Sequence, residues 1–78
     1  MIYEYKVAWC KACDQGWVEI VKETATSNLL LMCSECTAQW IDMMSYYEEA
    51  YLEEEKIVET PIMDEIKKWG WEDLITFG

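Results

Sequence analysis

A small α+β domain is the fold that the sequence predicts, on three observations. Several segments of the first half are rich in β-branched and aromatic residues, as strands are. A Thr-Pro dipeptide in the second half is typical of a helix start. All four cysteines fall in two Cys-x-x-Cys pairs. We therefore expect three to four antiparallel strands around the cysteines, followed by one or two short helices.

The cysteine pairs are separated by nineteen residues. Two cysteines three positions apart can point both sulfurs from one tight turn at a single ion, and a second such turn completes a tetrahedron. The spacing is typical of a zinc ribbon and predicts a closed structural Zn²⁺ site, with no position for a substrate. Iron in a rubredoxin-type site and disulfide bonds are the alternatives. The predicted ligands are Cys10, Cys13, Cys33 and Cys36.

The first half reads as strands that lead into the two cysteine turns. Residues 2–9 alternate between apolar and charged side chains, which predicts a half-buried strand. Residues 17–23 and 29–32 predict a hairpin through a polar turn at 24–28. Gly16 stands where a cysteine turn often needs a left-handed residue. Residues 37–40 are interpreted as the exit from the second turn, and the five tryptophans as core, with Trp9, Trp17 and Trp40 shielding the metal.

The second half carries two helix signals. Ser45-x-x-Glu48 fits a capping box and predicts a helix over residues 46–55. A loop or a fraying helix is the alternative, because the macrodipole disfavours the three acids at 53–55. Thr60-Pro61 predicts a second helix over 61–69, with Thr60 as its N-cap and Gly70 at its end. Between them, residues 56–59 are interpreted as an edge strand, and residues 71–77 as a last helical turn that packs back on the domain. The whole chain is interpreted as a single domain, with a zinc ribbon over 1–40 and an acidic, mainly helical part over 41–78.

Net charge excludes several classes of function. The chain has sixteen acidic residues, six lysines and neither arginine nor histidine, for a net charge of −10. Residues 41–78 hold eleven of the acids. Such a surface repels phosphate backbones, so we expect no direct nucleic-acid binding. Without histidine, arginine or a phosphate-binding loop, and with the cysteines assigned to metal, we expect no enzyme. No apolar span or signal peptide is recognised, which predicts a cytoplasmic protein without membrane contact.

The acidic surface suits this chain to a basic protein partner, because electrostatic fields of opposite sign accelerate the encounter of two proteins. Tyrosines among the acids add contact area at low entropic cost, as interface residues do. A solvated face that keeps the protein soluble is the alternative for these acids. The oligomeric state stays open. The predicted partner contacts are Tyr46, Tyr47, Glu48, Glu49, Tyr51, Glu53, Glu54 and Glu55.

Two resemblances extend this interpretation. The segment from Trp9-Cys10-x-x-Cys13 to Cys33-x-x-Cys36 resembles the zinc-ribbon superfamily. Together with Trp40, Thr60-Pro61 and Gly70-Trp71, the chain looks like small acidic bacterial zinc-ribbon proteins, among them immunity proteins of contact-dependent inhibition and other polymorphic toxin systems. That resemblance implies an immunity protein or antitoxin that blocks a cationic toxin domain, plausibly a nuclease. A protein–protein adaptor in a transcription or translation complex and a rubredoxin-like electron carrier are the alternatives.

Overall fold

An antiparallel sheet forms the centre of the computed structural model, which describes residues 5–75. Within the described residues the strands are β1 (Lys6–Trp9), β2 (Trp17–Glu23), β3 (Leu29–Cys33), β4 (Gln39–Trp40) and β5 (Val58–Glu59). The strand order is β1-β2-β3-β4, and β5 pairs with residues 22 and 23 of β2, beyond the residues that pair with β1. The helices are α1 (Met43–Tyr47), α2 (Met63–Lys68) and a 3-10 helix over Glu72–Leu74. The fold is the small α+β zinc ribbon that the sequence predicts.

Register in the β2–β3 hairpin divides the sheet into two faces. Ile20 lies opposite Leu31, and Leu31 lies opposite Trp40, so these side chains share one face, which we call the inner face. All three are almost completely buried. Ile66 of α2 and Tyr46 of α1 belong to the same buried cluster. The helices therefore cover the inner face, and this packing encloses the core.

The outer face carries the alternate positions of the same strands. Glu19 lies opposite Met32, and Met32 lies opposite Gln39. Residues 48–57, which we call the strap, follow α1 and cross this face. The amide of Leu52 donates to the carbonyl of Gln39, and the Gln39 side chain bonds both the N–H and the C=O of Lys56, at 2.8 and 3.0 Å. The buried amide side chain thus fixes the strap to β4 before the chain reaches β5.

The helix predicted over residues 46–55 is wrong in position and length. Asp42, not Ser45, is the N-cap of α1, because its carboxylate accepts from the Ser45 N–H at 2.8 Å. The helix ends at Tyr47, and Glu49 adopts a left-handed conformation with φ of 58°. Acids near a helix C-terminus oppose the macrodipole, which is consistent with termination before the three consecutive glutamates.

The second predicted helix is confirmed but shorter, as α2. Its N-cap is Ile62 and not Thr60, so that prediction was wrong. The Glu65 carboxylate accepts from the Ile62 N–H at 3.0 Å and supplies the cap from inside the helix. Lys22 of β2 donates to the other carboxylate oxygen of Glu65 at 2.8 Å and also contacts Glu59 at 3.1 Å. One lysine thus ties β2 to both β5 and α2.

Three further predictions need correction or completion. β4 was interpreted as a simple exit from the second cysteine turn, and it is a strand. Trp9 and Trp69 are 44% and 43% exposed, so the tryptophans are not all core. The last helical turn is the 3-10 helix, followed by the buried Ile75, and residues 76–77 of that prediction lie outside the described residues. Over residues 5–75, no helix has the length and apolar character needed to span a bilayer.

Candidate metal centre

The four cysteines meet at one end of the β2–β3 hairpin. Cys10 follows β1 and Cys33 ends β3, and both are fully buried. Cys13 is half-buried and Cys36 is exposed. Val18 of β2 lies opposite Cys33, so the hairpin register brings the second cysteine pair beside the first. The site is therefore assembled by the longest strand pair of the sheet.

Each cysteine turn is closed by backbone hydrogen bonds. In the first turn the Cys10 N–H donates to the Gly16 carbonyl at 2.9 Å, and the Asp14 N–H donates to the Cys10 carbonyl at 3.1 Å. In the second turn the Cys33 N–H donates to the Ala38 carbonyl at 2.9 Å. The N–H groups of residues 35 and 36 point at the Cys33 sulfur, at 3.3 and 3.4 Å. Such bonds stabilise negative charge on sulfur, as a thiolate ligand requires.

Left-handed backbone occurs once in each turn, immediately after the second cysteine. Asp14 has φ of 55° and Thr37 has φ of 60°. The prediction that Gly16 is the left-handed residue was wrong. Gly16 serves a different need, because a Cβ placed on it would lie 2.5 Å from the Glu35 Cγ and 3.2 Å from the Cys33 sulfur. Glycine at this position therefore allows the two turns to approach each other.

The four sulfurs fit a tetrahedron. All four lie within 4.8 Å of one another. The Cys10–Cys36 and Cys13–Cys33 sulfur separations are 3.8 and 3.6 Å. Metal–sulfur bonds of about 2.3 Å place tetrahedral sulfurs about 3.8 Å apart, whereas a disulfide needs about 2.05 Å. None of the four cysteines is in a disulfide, and their arrangement can hold one metal ion with every position filled by protein.

Burial and hydrogen bonding act on these thiols in opposite directions. The Gln15 N–H lowers the pKa of Cys13 to about 7. Burial raises the pKa of Cys33 to about 12 and raises that of Cys36 as well. A buried thiol is protonated at neutral pH unless a cation is bound beside it, so ion binding at this cluster must release protons.

Aromatic side chains pack around the first cysteine turn. The Trp9 indole N–H donates to the Asp14 carboxylate, and its ring lies edge-on to Trp17 at 5.2 Å. The Tyr46 hydroxyl donates to the Trp9 carbonyl and ties α1 to the turn. Lys11 lies 5.0 Å from the Tyr46 ring centroid and 5.3 Å from that of Tyr47. The turn is therefore supported from the acidic half of the chain.

The predicted partner contacts separate into two groups. Tyr46 is 4% exposed, and its hydroxyl is engaged with Trp9, so its assignment as a partner contact was wrong. Tyr47 and Tyr51 are 62% and 47% exposed. The five carboxylates lie on exposed positions at the end of α1 and along the strap, namely Glu48, Glu49, Glu53, Glu54 and Glu55.

Sequence reasoning missed the structural roles of Asp14, Thr37 and Lys11. A signal for the first two existed, because each follows the second cysteine of its pair. Asp tolerates the left-handed region better than most residues, whereas Thr does so poorly. The contact between Lys11 and the tyrosines has no counterpart in the local sequence, since it joins residues 35 positions apart or more.

The fold and the sulfur cluster together define a small α+β zinc ribbon. Comparisons of the chain with known protein families, with curated proteins and with solved structures find no match.

Proposed function

We propose that this protein is a non-enzymatic binding protein whose strap contacts a basic partner, and that the partner is a cationic toxin domain neutralised by it. The ribbon supplies a rigid platform, and the strap presents the charge. This combination of a rigid ribbon and a charged strap best supports the role of an immunity protein or antitoxin.

The exposed carboxylates of the strap carry the proposal. Within residues 5–75, no lysine lies at ion-pair distance from Glu48, Glu49 or residues 53–55, whereas Lys22 is engaged by Glu59 and Glu65. Carboxylates that form no ion pair within the protein leave more of their charge for a partner. Tyr47 and Tyr51 flank them and offer aromatic contact area. A partner that docks here would gain electrostatic attraction first and apolar burial second.

The test starts from the partner itself. The tagged full-length protein is purified from its source cells, and the co-purified protein is identified and produced separately. Association rates are then measured over a salt series. We expect a rate that falls steeply with salt, because electrostatic steering accelerates encounter by about 10–10³-fold at low ionic strength. A salt-insensitive rate would remove the electrostatic basis of the proposal.

A matched pair of charge reversals locates the contact. The strap variant Glu53→Lys/Glu54→Lys/Glu55→Lys and the control Asp64→Lys/Glu72→Lys/Asp73→Lys change the net charge by the same amount at different places. We expect at least a hundredfold loss of affinity for the strap variant and only a few-fold loss for the control. Protection of cells that produce the partner should be lost with the strap variant alone. Equal losses would assign the effect to net charge and contradict the strap as the contact.

Zinc is the ion that we propose for the four-sulfur site, in a purely structural role. The closed coordination by protein supports this, because it leaves no position for a substrate. Metal analysis of protein purified without added metal should give one zinc per chain and no visible absorption band. The exposed position of Cys36 favours a second candidate, a rubredoxin-like electron carrier, since electrons need a short path to the surface. A visible band and a reversible one-electron potential would establish that alternative.

A further inference from the structure

A groove opens beside the turn of the β2–β3 hairpin, at the end of the sheet that lies away from the cysteines. Its volume is about 430 Å³, within the range of about 300–1,000 Å³ that ligand sites occupy. Leu29 and Leu30 of β3, Ile41 after β4 and Leu52 of the strap supply apolar lining. Ile41 is more than half exposed, so the residues that the structure describes leave part of this apolar lining uncovered.

Two tryptophans that follow α2 line the groove together. The Trp69 and Trp71 ring centroids lie 5.4 Å apart, with an interplanar angle of 76°. Gly70 between them has φ of 73°, a left-handed conformation that lets the chain turn at the end of α2. The Trp71 N–H then donates to the Ile66 carbonyl at 3.0 Å, which fixes the pair to the helix. Trp69 is exposed, and it offers contact area that costs little entropy to use.

The polar lining of the groove offers free donors, whereas its acids are already engaged inside the protein. One oxygen of Glu23 accepts from the Thr26 hydroxyl at 3.0 Å, and one oxygen of Asp42 caps α1. Over residues 5–75, by contrast, no hydrogen bond or ion pair engages the Lys56 ammonium or either indole N–H of the tryptophan pair. The groove is therefore best matched by a ligand that brings acceptors and few donors.

We propose that this groove binds an uncharged, proline-rich segment of a partner protein in the polyproline II conformation. That conformation uses no backbone carbonyl internally, so its carbonyls are available to the two indole N–H groups and to Lys56. Proline has no N–H to satisfy, and its ring packs against aromatic side chains. A basic segment would be repelled by Lys56, and an acidic one by Glu23, Asp42 and the net charge of −10. The contact uses no carboxylate of the strap, so it is independent of the proposed function.

The test uses a defined probe and the full chain loaded with zinc. The probe is a capped nonapeptide of L-proline, and its control is the all-D-proline peptide, which has the same composition and charge but the opposite helical hand. Indole and backbone N–H shifts in nuclear magnetic resonance spectra are followed during titration. We expect saturable shifts of both indole N–H signals of Trp69 and Trp71 with the L peptide, and at least tenfold weaker binding of the D peptide. Equal binding of the two peptides, or no shift at these indoles, would overturn the proposal.

Two pairs of variants separate the groove from general surface stickiness. Trp69→Ala removes the exposed indole, and Ile62→Ala removes an exposed apolar side chain that does not line the groove. We expect the dissociation constant of the L peptide to rise at least about tenfold for W69A and less than about twofold for I62A.

The second pair tests the donor. Lys56→Met keeps most of the apolar stem and removes the ammonium, whereas Lys67→Met makes the same change on an exposed position outside the groove lining. We expect about threefold weaker binding of the L peptide for K56M and none for K67M, with wild-type melting temperatures in both. Equal affinities of W69A and I62A would contradict the groove as the site, and equal affinities of K56M and K67M would contradict the role of Lys56 as a donor.

Discussion

The ribbon half, residues 5–40, and the acidic half, residues 41–75, are held by different means. In the ribbon half, strands pair over most of their length and four sulfurs converge on one point. In the acidic half, two short helices and a strap are tied down mainly by Tyr46, Ile66, Ile75 and the hydrogen bonds of Gln39 and Glu65. The acidic residues are concentrated in the half of the chain where few side chains are buried.

The largest effect should come from removing one sulfur of the ribbon half. Structural zinc contributes about 10–16 kcal/mol in zinc-finger peptides, which rivals the entire unfolding free energy of an ordinary domain at about 5–15 kcal/mol. We expect Cys33→Ser to abolish cooperative thermal unfolding measured by circular dichroism. The neighbouring Ser34→Ala removes only a 3.4 Å hydrogen bond from the Trp17 N–H, so it should keep a cooperative transition that is lowered by a few degrees at most. A cooperative transition in C33S at the wild-type temperature would show that the ribbon stands without its ion.

A smaller loss of stability is expected in the ribbon half from a change at Gly16, where the two cysteine turns approach each other. Gly16→Ala places a methyl group against Glu35 and Cys33, and overpacking of this kind costs about 1–3 kcal/mol. Denaturant unfolding measures the loss. Because Cγ and Cβ of Glu35 are the nearest atoms, the cost should shrink in a Glu35→Gly background. A double-mutant cycle without coupling would place the strain elsewhere.

Breaking the strap should affect the acidic half alone. Gln39→Ala leaves the partly buried N–H and C=O of Lys56 without their side-chain partner, at a cost of about 1–3 kcal/mol. We expect faster hydrogen exchange at Leu52 and Lys56, with protection of Leu31 preserved. Gln39→Glu keeps the acceptor and loses the donor, so it should loosen the strap less at acidic pH than at neutral pH. Loss of protection throughout the sheet would mean that the two halves are one cooperative unit.

The smallest effect concerns the ion pairs that join the halves. The hydrogen bond that the Lys22 ammonium donates to the Glu65 carboxylate lowers the pKa of Glu65 below 4.5 and raises the pKa of Lys22 above 10.5. The stability that the Glu65 carboxylate contributes is therefore present above about pH 4.5 and is lost as the pH falls through its lowered pKa. The stability that the Lys22 ammonium contributes is lost only as the pH rises through its raised pKa. When the melting temperature is measured against pH, Glu65→Gln should lose less stability on acidification than the wild type does. Glu59→Gln should show a smaller difference from the wild type, because Glu59 is the more exposed partner of Lys22.

Sequence patterns predicted the ribbon half well because its signals are local. The two Cys-x-x-Cys turns, the β-branched run of β2 and the apolar run of β3 each fit within seven residues. The acidic half depended on contacts that no local pattern records. Ser45 and Glu48 fit a capping box, yet Asp42 caps α1, which buries Tyr46 under the first cysteine turn.

β4 was missed for a related reason. A two-residue strand has no period to recognise, and its Gln39 is polar in a position that is 3% exposed. The site geometry shows the same limit. The four cysteines could be predicted as ligands from their spacing. The close approach of the two cysteine turns at Gly16 could not, because it depends on Glu35 and Cys33 of the other turn.

The path of the strap imposes an order of assembly on the chain. The strap bonds Gln39 at one edge of the sheet, and β5 then pairs with β2 on the far side of β3. Neither docking point exists until the β2–β3 hairpin has closed, and the residues that this hairpin pairs are close in sequence. Refolding should thus begin with the hairpin and finish with the acidic half, so that a nascent chain acquires its charged surface last.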